Sequence, residues 1–429
     1  MSTERGHEVK VGAEAHGARR LVTCDPTRAT ATDPLGVIDD GALLVQNGRI
    51  VWVGQRAELA PGSNVVDHGD RVLTPGLVDA HTHSCWAGSR HAEYAVRMAG
   101  GDYEAIAQAG GGILSTHRSV IAASRDDLAH ELRARLRRMA SLGVTTVEVK
   151  SGYGLAPEEE LKQLEAIALV RADASLPRVV PTFLALHSLP LYARAAGRRA
   201  AYVERVADSL VAEVAARGLA EFVDAYVDRE AFQVAEARSV FDAARRAGLG
   251  IRAHIGQFAD IGGGELAAEL GAASVDHVEH IGRESLSRLA AAGTRPVLLP
   301  VASFTLVQAP PPIQAMRDAG LELVVASDAN PGTAPTESLP LALAFAVRGY
   351  GLTPSEALLG ATRHAAASLA RPLVDRSPRG ALMPGAPADF VVWDLPHELA
   401  IVQPWGVSRT RLVVRDGRTL HASIEGALL

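Results

Sequence analysis

The chain has 429 residues, 48% of them hydrophobic, enough for one large domain with an accessory domain, or for two or three small ones, without disulfide support. A formal charge of −6 with both signs interspersed gives no basic footprint for nucleic acid and no polybasic run for a membrane surface. Only Cys24 and Cys85 occur, the N-terminal stretch is polar and charged rather than a secretory signal, and no apolar run reaches a membrane span, so a cytoplasmic, reducing setting is expected.

The first predicted elements are short strands. Residues 41–54 read as a hairpin, because apolar runs flank Asn47-Gly48, a strong two-residue turn signal. The C-terminal part repeats this style in Asp389–Asp394 and in Arg411–Arg418, which ends at an Asp416-Gly417 turn. Two β-rich ends around a different middle predict one small β-sandwich domain built from both termini, residues 1–72 and 381–429.

The middle, residues 73–380, alternates apolar runs with amphipathic segments such as 126–141, 157–173, 200–218 and 229–248, the signature of parallel β/α architecture. Eight strand candidates end near His83, Ser151, His187, Asp228, Gln257, His280, Pro300 and Asp328. Eight such units over this length predict a (β/α)8 barrel, with a doubly wound open sheet as the competing architecture. No G-x-G-x-x-G lies between the first strand and a helix, and Gly110-Gly111-Gly112, read as a mobile loop, lacks a following Lys-Ser or Lys-Thr. Residues 353–369 are Ala-rich and predicted helical, outside the barrel.

The chemistry gathers at predicted strand ends. His81 and His83 close the first apolar run, and residues two apart on a strand face the same side. Such a pair alone is more often solvated than metal-bound, so the other strand ends decide. The fifth brings His254, the sixth His277 and His280, and the eighth Asp328. Chance would scatter the 15 histidines into helices and loops as well. Metal-ligand types at four separate strand ends predict a metal-dependent enzyme, because barrel active sites form at that face.

The run Pro75–His83 resembles the opening metal motif of the amidohydrolase superfamily, and Ser327-Asp328 resembles its last-strand aspartate. Gly88-Ser89-Arg90, residues 110–116, Glu148-Val149-Lys150-Ser151-Gly152-Tyr153-Gly154-Leu155 and Asp328-Ala329-Asn330-Pro331-Gly332-Thr333 together resemble the imidazolonepropionase family of histidine degradation. The likeness runs from about Leu73 to Thr333.

That resemblance implies hydrolysis of the cyclic amide C–N bond of 4-imidazolone-5-propanoate to N-formimidoyl-L-glutamate. Members with two metals carry a carboxylated lysine at the end of strand four; the corresponding run Phe222–Asp228 has none, and Lys150 ends strand two. One divalent or trivalent metal ion, Zn or Fe, is therefore expected, on His81, His83, His254 and Asp328. Asp328 takes a proton from the attacking water, and His277 hydrogen-bonds the nucleophile or the developing oxyanion. For substrate binding, Arg90 offers a planar fork to the propanoate, and Tyr153, His187 and Gln257 are assigned to the ligand and its ring. Asn330, Gly332 and Thr333 are assigned to ligand carboxylates.

Gln257 stands where related deaminases carry a glutamate proton shuttle, and an amide cannot shuttle a proton. The competing readings are a related mononuclear amidohydrolase, either another cyclic amide hydrolase or a nucleobase-type deaminase, and a non-catalytic scaffold. Ser84-Cys85-Trp86, His117 and residues 188–191 depart from the family pattern, with Cys85 read as a small loop residue rather than a ligand. The expected partner is a small-molecule substrate, and the apolar content is compatible with a homodimer.

Overall fold

The computed structural model describes residues 13–100, 111–370 and 378–423; Gly110 of the glycine run and the first twelve residues, whose polar character spoke against a signal, lie outside these. Eight parallel strands form the barrel: Leu77–Asp79, Val144–Lys150, Arg178–Leu186, Phe222–Val227, Gly250–Ile255, Ser274–His277, Arg295–Leu298 and Val324–Val325. They fall where the eight apolar runs predict them. The ring closes between the first and eighth strands. Asp328 N–H donates to His81 O at 3.1 Å, His83 N–H donates to Ala329 O at 3.0 Å, and the Asp79 carboxylate accepts from the Ser327 hydroxyl at 2.6 Å.

Every residue of Val144–Lys150 is buried, as parallel strands covered on both faces require. Side chains still alternate, so the inward face of each strand carries one set of residues. At the floor, Val78, Val180, Phe222, Val297 and Val324 pack together with Ala365 and Leu369. The Ala-rich segment therefore helps to plug the barrel floor rather than lying outside it. It is helical as expected, in two helices, Pro354–Gly360 and Arg363–Ser368. The break is at Thr362, whose φ of −129° and ψ of −99° leave helical geometry.

Outer helices start where local chemistry satisfies their free N–H groups. Arg125–Ala140 opens on a Ser124–Asp127 capping box. Val234–Arg246 starts later than the expected 229, because Gln233 and Glu236 form the capping box and Phe232 is bridged back to Val227. Residues 198–216 run as one helical stretch with a π turn over Val206–Leu210. No helix among the described residues is long and apolar enough to cross a membrane.

A mixed sheet joins the two chain ends. Its path runs Arg418–Ala422, Thr410–Arg415, Phe390–Trp393, Val72–Pro75, Glu14–Val22, Val37–Gln46 and Arg49–Gln55, with Val65–Asp67 also paired to Glu14–Val22. The Asn47-Gly48 turn takes φ of 52° and 73°, as the tight hairpin demands. Val72–Pro75 is the hinge of the architecture, pairing with a strand from each end of the chain. The chain then crosses to the barrel at Gly76, where a Cβ would meet the Thr145 hydroxyl at 2.2 Å. Trp393 pins the two parts together: its Nε1 donates to Thr74 Oγ1 at 2.8 Å, and its ring lies against Gly143.

Candidate metal centre and active site

His81, His83, His254 and Asp328 converge at the C-terminal mouth of the barrel, all 4% exposed or less. His81 Nε2 and His254 Nε2 each lie 3.3 Å from His83 Nε2. Asp328 Oδ1 sits 3.5 Å from His81 Nε2 and 3.6 Å from His83 Nε2, and has no hydrogen-bond partner.

The tautomers are set from behind. His81 Nδ1 lies 2.7 Å from Asp276 Oδ2, and His254 Nδ1 lies 3.1 Å from Asp224. A carboxylate accepts, so each Nδ1 carries the proton and each Nε2 presents a lone pair. No described residue behind the His83 ring fixes its tautomer, and one proton on its Nε2 could serve only one of the two lone pairs 3.3 Å away. That separation is the edge of a tetrahedron with arms of about 2.0–2.1 Å, the usual zinc–nitrogen distance. Burial, the first cause, and neighbouring charges hold His81 and His83 well below the ordinary imidazole range, so they stay neutral. Burial likewise lifts the Asp328 carboxyl well above its ordinary range. The donor set fits a divalent cation, which neutral imidazoles can ligate and which would compensate the Asp328 charge.

The backbone here is strained. His277, Val278 and Asp328 take φ of 79°, 65° and 54°, values that non-glycine residues rarely adopt. The turn at His277 brings its ring within 5.5 Å of His254 and leaves Nδ1 without a partner. His277 also comes within 4.8 Å of His81 and His254, donor atom to donor atom. His280 faces away, with Nδ1 3.1 Å from Gln257 O.

A cavity of about 230 Å³ opens above the histidines, lined by Arg90, Tyr153, His187, Gln257 and Thr333 among others. It has room for one small metabolite-sized molecule. His187 stacks on His83, ring centroids 5.0 Å apart, and anchors Nδ1 on Gly152 O at 2.8 Å. Tyr153 is fixed by its loop: Glu160 accepts from the Gly152 and Leu155 N–H groups, and Gln163 Oε1 from those of Tyr153 and Gly154. His117, unassigned from sequence, braces the same loop, its Nδ1 2.9 Å from Tyr153 O. Cys85 is buried away from the ligands, beside Gln163.

Three sequence assignments change in detail. Arg90 does not present an open fork, because its Nε and one terminal nitrogen are held by Glu93. Its remaining nitrogen points at Gly332, where a Cβ would stand 2.1 Å away, so Gly332 makes room for the guanidinium instead of meeting a ligand. Asn330 does not offer its side chain to a ligand either. Its Oδ1 accepts from Gly332 N and Thr333 N at 2.8 Å, and its Nδ2 donates to Asp328 O at 2.7 Å. The amide is spent on shaping the loop that carries Asp328.

Sequence reasoning missed Asp224, Asp276 and Tyr226. Asp224 and Asp276 orient metal-facing imidazoles, and the Tyr226 hydroxyl donates to Gln257 Oε1 at 2.7 Å. Each is a polar residue on the inward face of an otherwise apolar strand, two residues from another polar inward residue; that spacing was the available signal.

The amidohydrolase family profile matches residues 72–420, and a bacterial imidazolonepropionase-like composite domain matches residues 41–61. The chain belongs to the amidohydrolase family, as the barrel and its histidine–aspartate centre already indicate. Within that family it belongs with the imidazolonepropionases. It is 42% identical over 389 residues to the imidazolonepropionase of Polaromonas sp., covering 90% of each chain. It is 41% identical over 419 residues to that of Symbiobacterium thermophilum, covering 94% of this chain and 97% of the relative. Among solved structures, an adenosine deaminase from Xanthomonas campestris with bound zinc superposes with a TM-score of 0.68 at 20% identity, covering 95% of this chain and 92% of that one. A. niger ochratoxinase gives 0.69 at 18% identity and 96% of both chains, likenesses that show the fold.

Proposed function

We propose that this chain hydrolyses the cyclic amide C–N bond of 4-imidazolone-5-propanoate to give N-formimidoyl-L-glutamate, a step of histidine degradation, using one ion of Zn or Fe held by His81, His83, His254 and Asp328. The observation that carries the metal reading is that the Nε2 lone pairs of His81 and His254 both face His83 Nε2 at 3.3 Å, with Asp328 Oδ1 beside them. The substrate follows from identity of about 42% to imidazolonepropionases over nine-tenths of the chain. Zinc in the neighbouring adenosine deaminase barrel supports a divalent ion at this mouth.

When bound, the ion supplies Lewis acidity, making a water more acidic and a carbonyl more electrophilic. Asp328, whose carboxylate also faces the ion, takes the proton of the attacking water and returns it to the departing ring nitrogen. His277, which lines the cavity, hydrogen-bonds the oxygen on which charge develops. Arg90 and Tyr153 hold the propanoate, and Thr333 supports that end of the pocket. His187 and the Gln257 amide contact the ring. The division into a terminal β unit and a barrel, with the crossing at Gly76, is part of this reading. So are a cytoplasmic setting, supported by two free buried cysteines, and a homodimer.

The test is to incubate the purified, metal-loaded protein with freshly generated imidazolone propanoate. Formimidoylglutamate should accumulate. Ammonia release from guanine or cytosine, with no turnover of the imidazolone, would overturn the reading.

A further inference from the structure

Beneath the metal-facing histidines lies a buried ionic network that the reaction as described does not use. Glu148, Lys150, Asp224, Arg252 and Asp276 are all 0% exposed. Lys150 and Glu148 share the inward face of the second strand, Asp224 comes from the fourth, Arg252 from the fifth and Asp276 from the sixth. Three carboxylates face two cations.

Lys150 is the centre of the arrangement. Its Nζ donates to Glu148 Oε1 and to Asp224 Oδ2, both at 2.7 Å, and lies 3.6 Å from Asp276 Oδ2. These two aspartates are the ones that receive the Nδ1 protons of His254 and His81. Asp224, His254 and Asp276 also bring donor atoms within 4.8 Å of one another, a spacing that would suit a second cation, and the ammonium already stands between the carboxylates. Burial alone would lower the Lys150 pKa, but Asp224, Glu148 and Asp276 together outweigh it and raise it, so the charge stays.

An unpaired lysine at this depth would cost several kcal/mol, and three carboxylates without it would repel one another. A passive ion pair needs only one partner. This ammonium instead hydrogen-bonds Glu148 and Asp224, the acceptor behind His254, and reaches Asp276 only as a charge 3.6 Å away. Arg252 does not do the same job: its nearest approaches to Glu148 and Asp276 are 3.8 and 3.6 Å, and its hydrogen bonds go to the carbonyls of Ala80 and Ser368.

We propose that Lys150 is a positioning residue for the metal centre: by hydrogen-bonding Asp224 it holds His254 in the tautomer that presents Nε2 to the ion. The proposal rests on the metal reading above. Replacing the ammonium frees Asp224 to turn, so His254 can carry its proton on Nε2, where it would block the ion, whereas Asp276 stays held by the Ser274 hydroxyl at 2.7 Å. Outer partners of this kind change metal affinity by about 10–100-fold.

The test uses the full chain with zinc as probe, and compares the wild type with Lys150→Met and with the double variant Lys150→Met/Glu148→Gln. The double variant removes one positive and one negative charge and leaves Asp224 and Asp276 in place, so it reads out the contact to Asp224 even where the single variant does not fold. Zinc affinity by chelator competition should fall by about 10–100-fold in a folded variant. In the metal-free protein, 15N imidazole spectra should show His254 moving from a single Nδ1–H form towards a mixture, with His81 unchanged. A folded double variant that binds zinc within about threefold of wild type, with unchanged imidazole spectra, overturns the role of Lys150 alone. A wild-type protein that binds no zinc overturns the metal reading, and this proposal with it.

Discussion

The Tyr226 hydroxyl donates to Gln257 Oε1 at 2.7 Å, and this bond decides which end of the amide faces the cavity. With the oxygen engaged, Gln257 presents its NH2 group, a donor, to a ring acceptor. Both residues line the pocket. Tyr226→Phe should therefore raise KM by about 2–12-fold, the worth of one hydrogen bond of 0.5–1.5 kcal/mol, while kcat changes little. Steady-state kinetics check this, and an unchanged KM would remove Tyr226 from ring recognition.

Asp328 is placed both to hold the ion and to take the proton of the attacking water. Its backbone N–H helps to close the barrel, but its Oδ1 has no hydrogen-bond partner. Asp328→Asn keeps the shape and removes the base, so turnover should fall by about 10²–10⁴-fold or more with a small change in melting temperature. Activity near wild type in that variant would sink the proton-transfer role.

The barrel was legible because its strands are apolar runs that stop at polar residues, and those polar residues are the site. His81, His83, His254 and Asp328 needed only the strand-end rule. What lay beneath them was hidden. Asp276 meets His81 across 195 positions of sequence, and Lys150 meets Asp224 across 74, so no local pattern announces either contact. Inward polar residues two apart, such as Glu148 and Lys150, mark the face but not the partner. The use of Arg90 by Glu93 is a different case: an i, i+3 ion pair at the start of a helix is local, and the sequence carried it. Asn330 also follows local chemistry, since an asparagine before Pro-Gly readily folds its amide back on its own turn.

Arg90 lines the pocket while Glu93 holds its Nε and one terminal nitrogen, which leaves one nitrogen for a single charge-assisted bond to the carboxylate. Such a bond is worth about 1.5–3 kcal/mol, and Arg90→Ala should raise KM by about 10–150-fold. Arg90→Lys should recover part of that loss, because a point charge suffices for one contact. The two KM values measured side by side decide it; equal values for alanine and wild type would remove Arg90 from the propanoate.

The terminal sheet carries a titration independent of the active site. His16 Nδ1 lies 3.1 Å from His68 Nε2, and the rings are stacked 5.4 Å apart, so a proton on one nitrogen is shared by a lone pair on the other. Burial, the first cause in both, pushes each down to about 4. Glu14 approaches His16 Nε2 at 3.3 Å, but from a side chain 55% exposed, where water screens it. Unfolded histidines titrate near 6.5, so between about pH 6.5 and 4 the unfolded chain binds more protons than the fold. The stabilisation is present above pH 6.5 and is lost as pH falls towards 4. Each histidine can add up to about 1.4 kcal/mol per pH unit to that slope. His68→Gln removes one of them, and urea titrations at steps from pH 7 to 4.5 should show a shallower acid decline than wild type. Parallel slopes for the two proteins would mean that the pair is not the acid-sensitive element of the sheet.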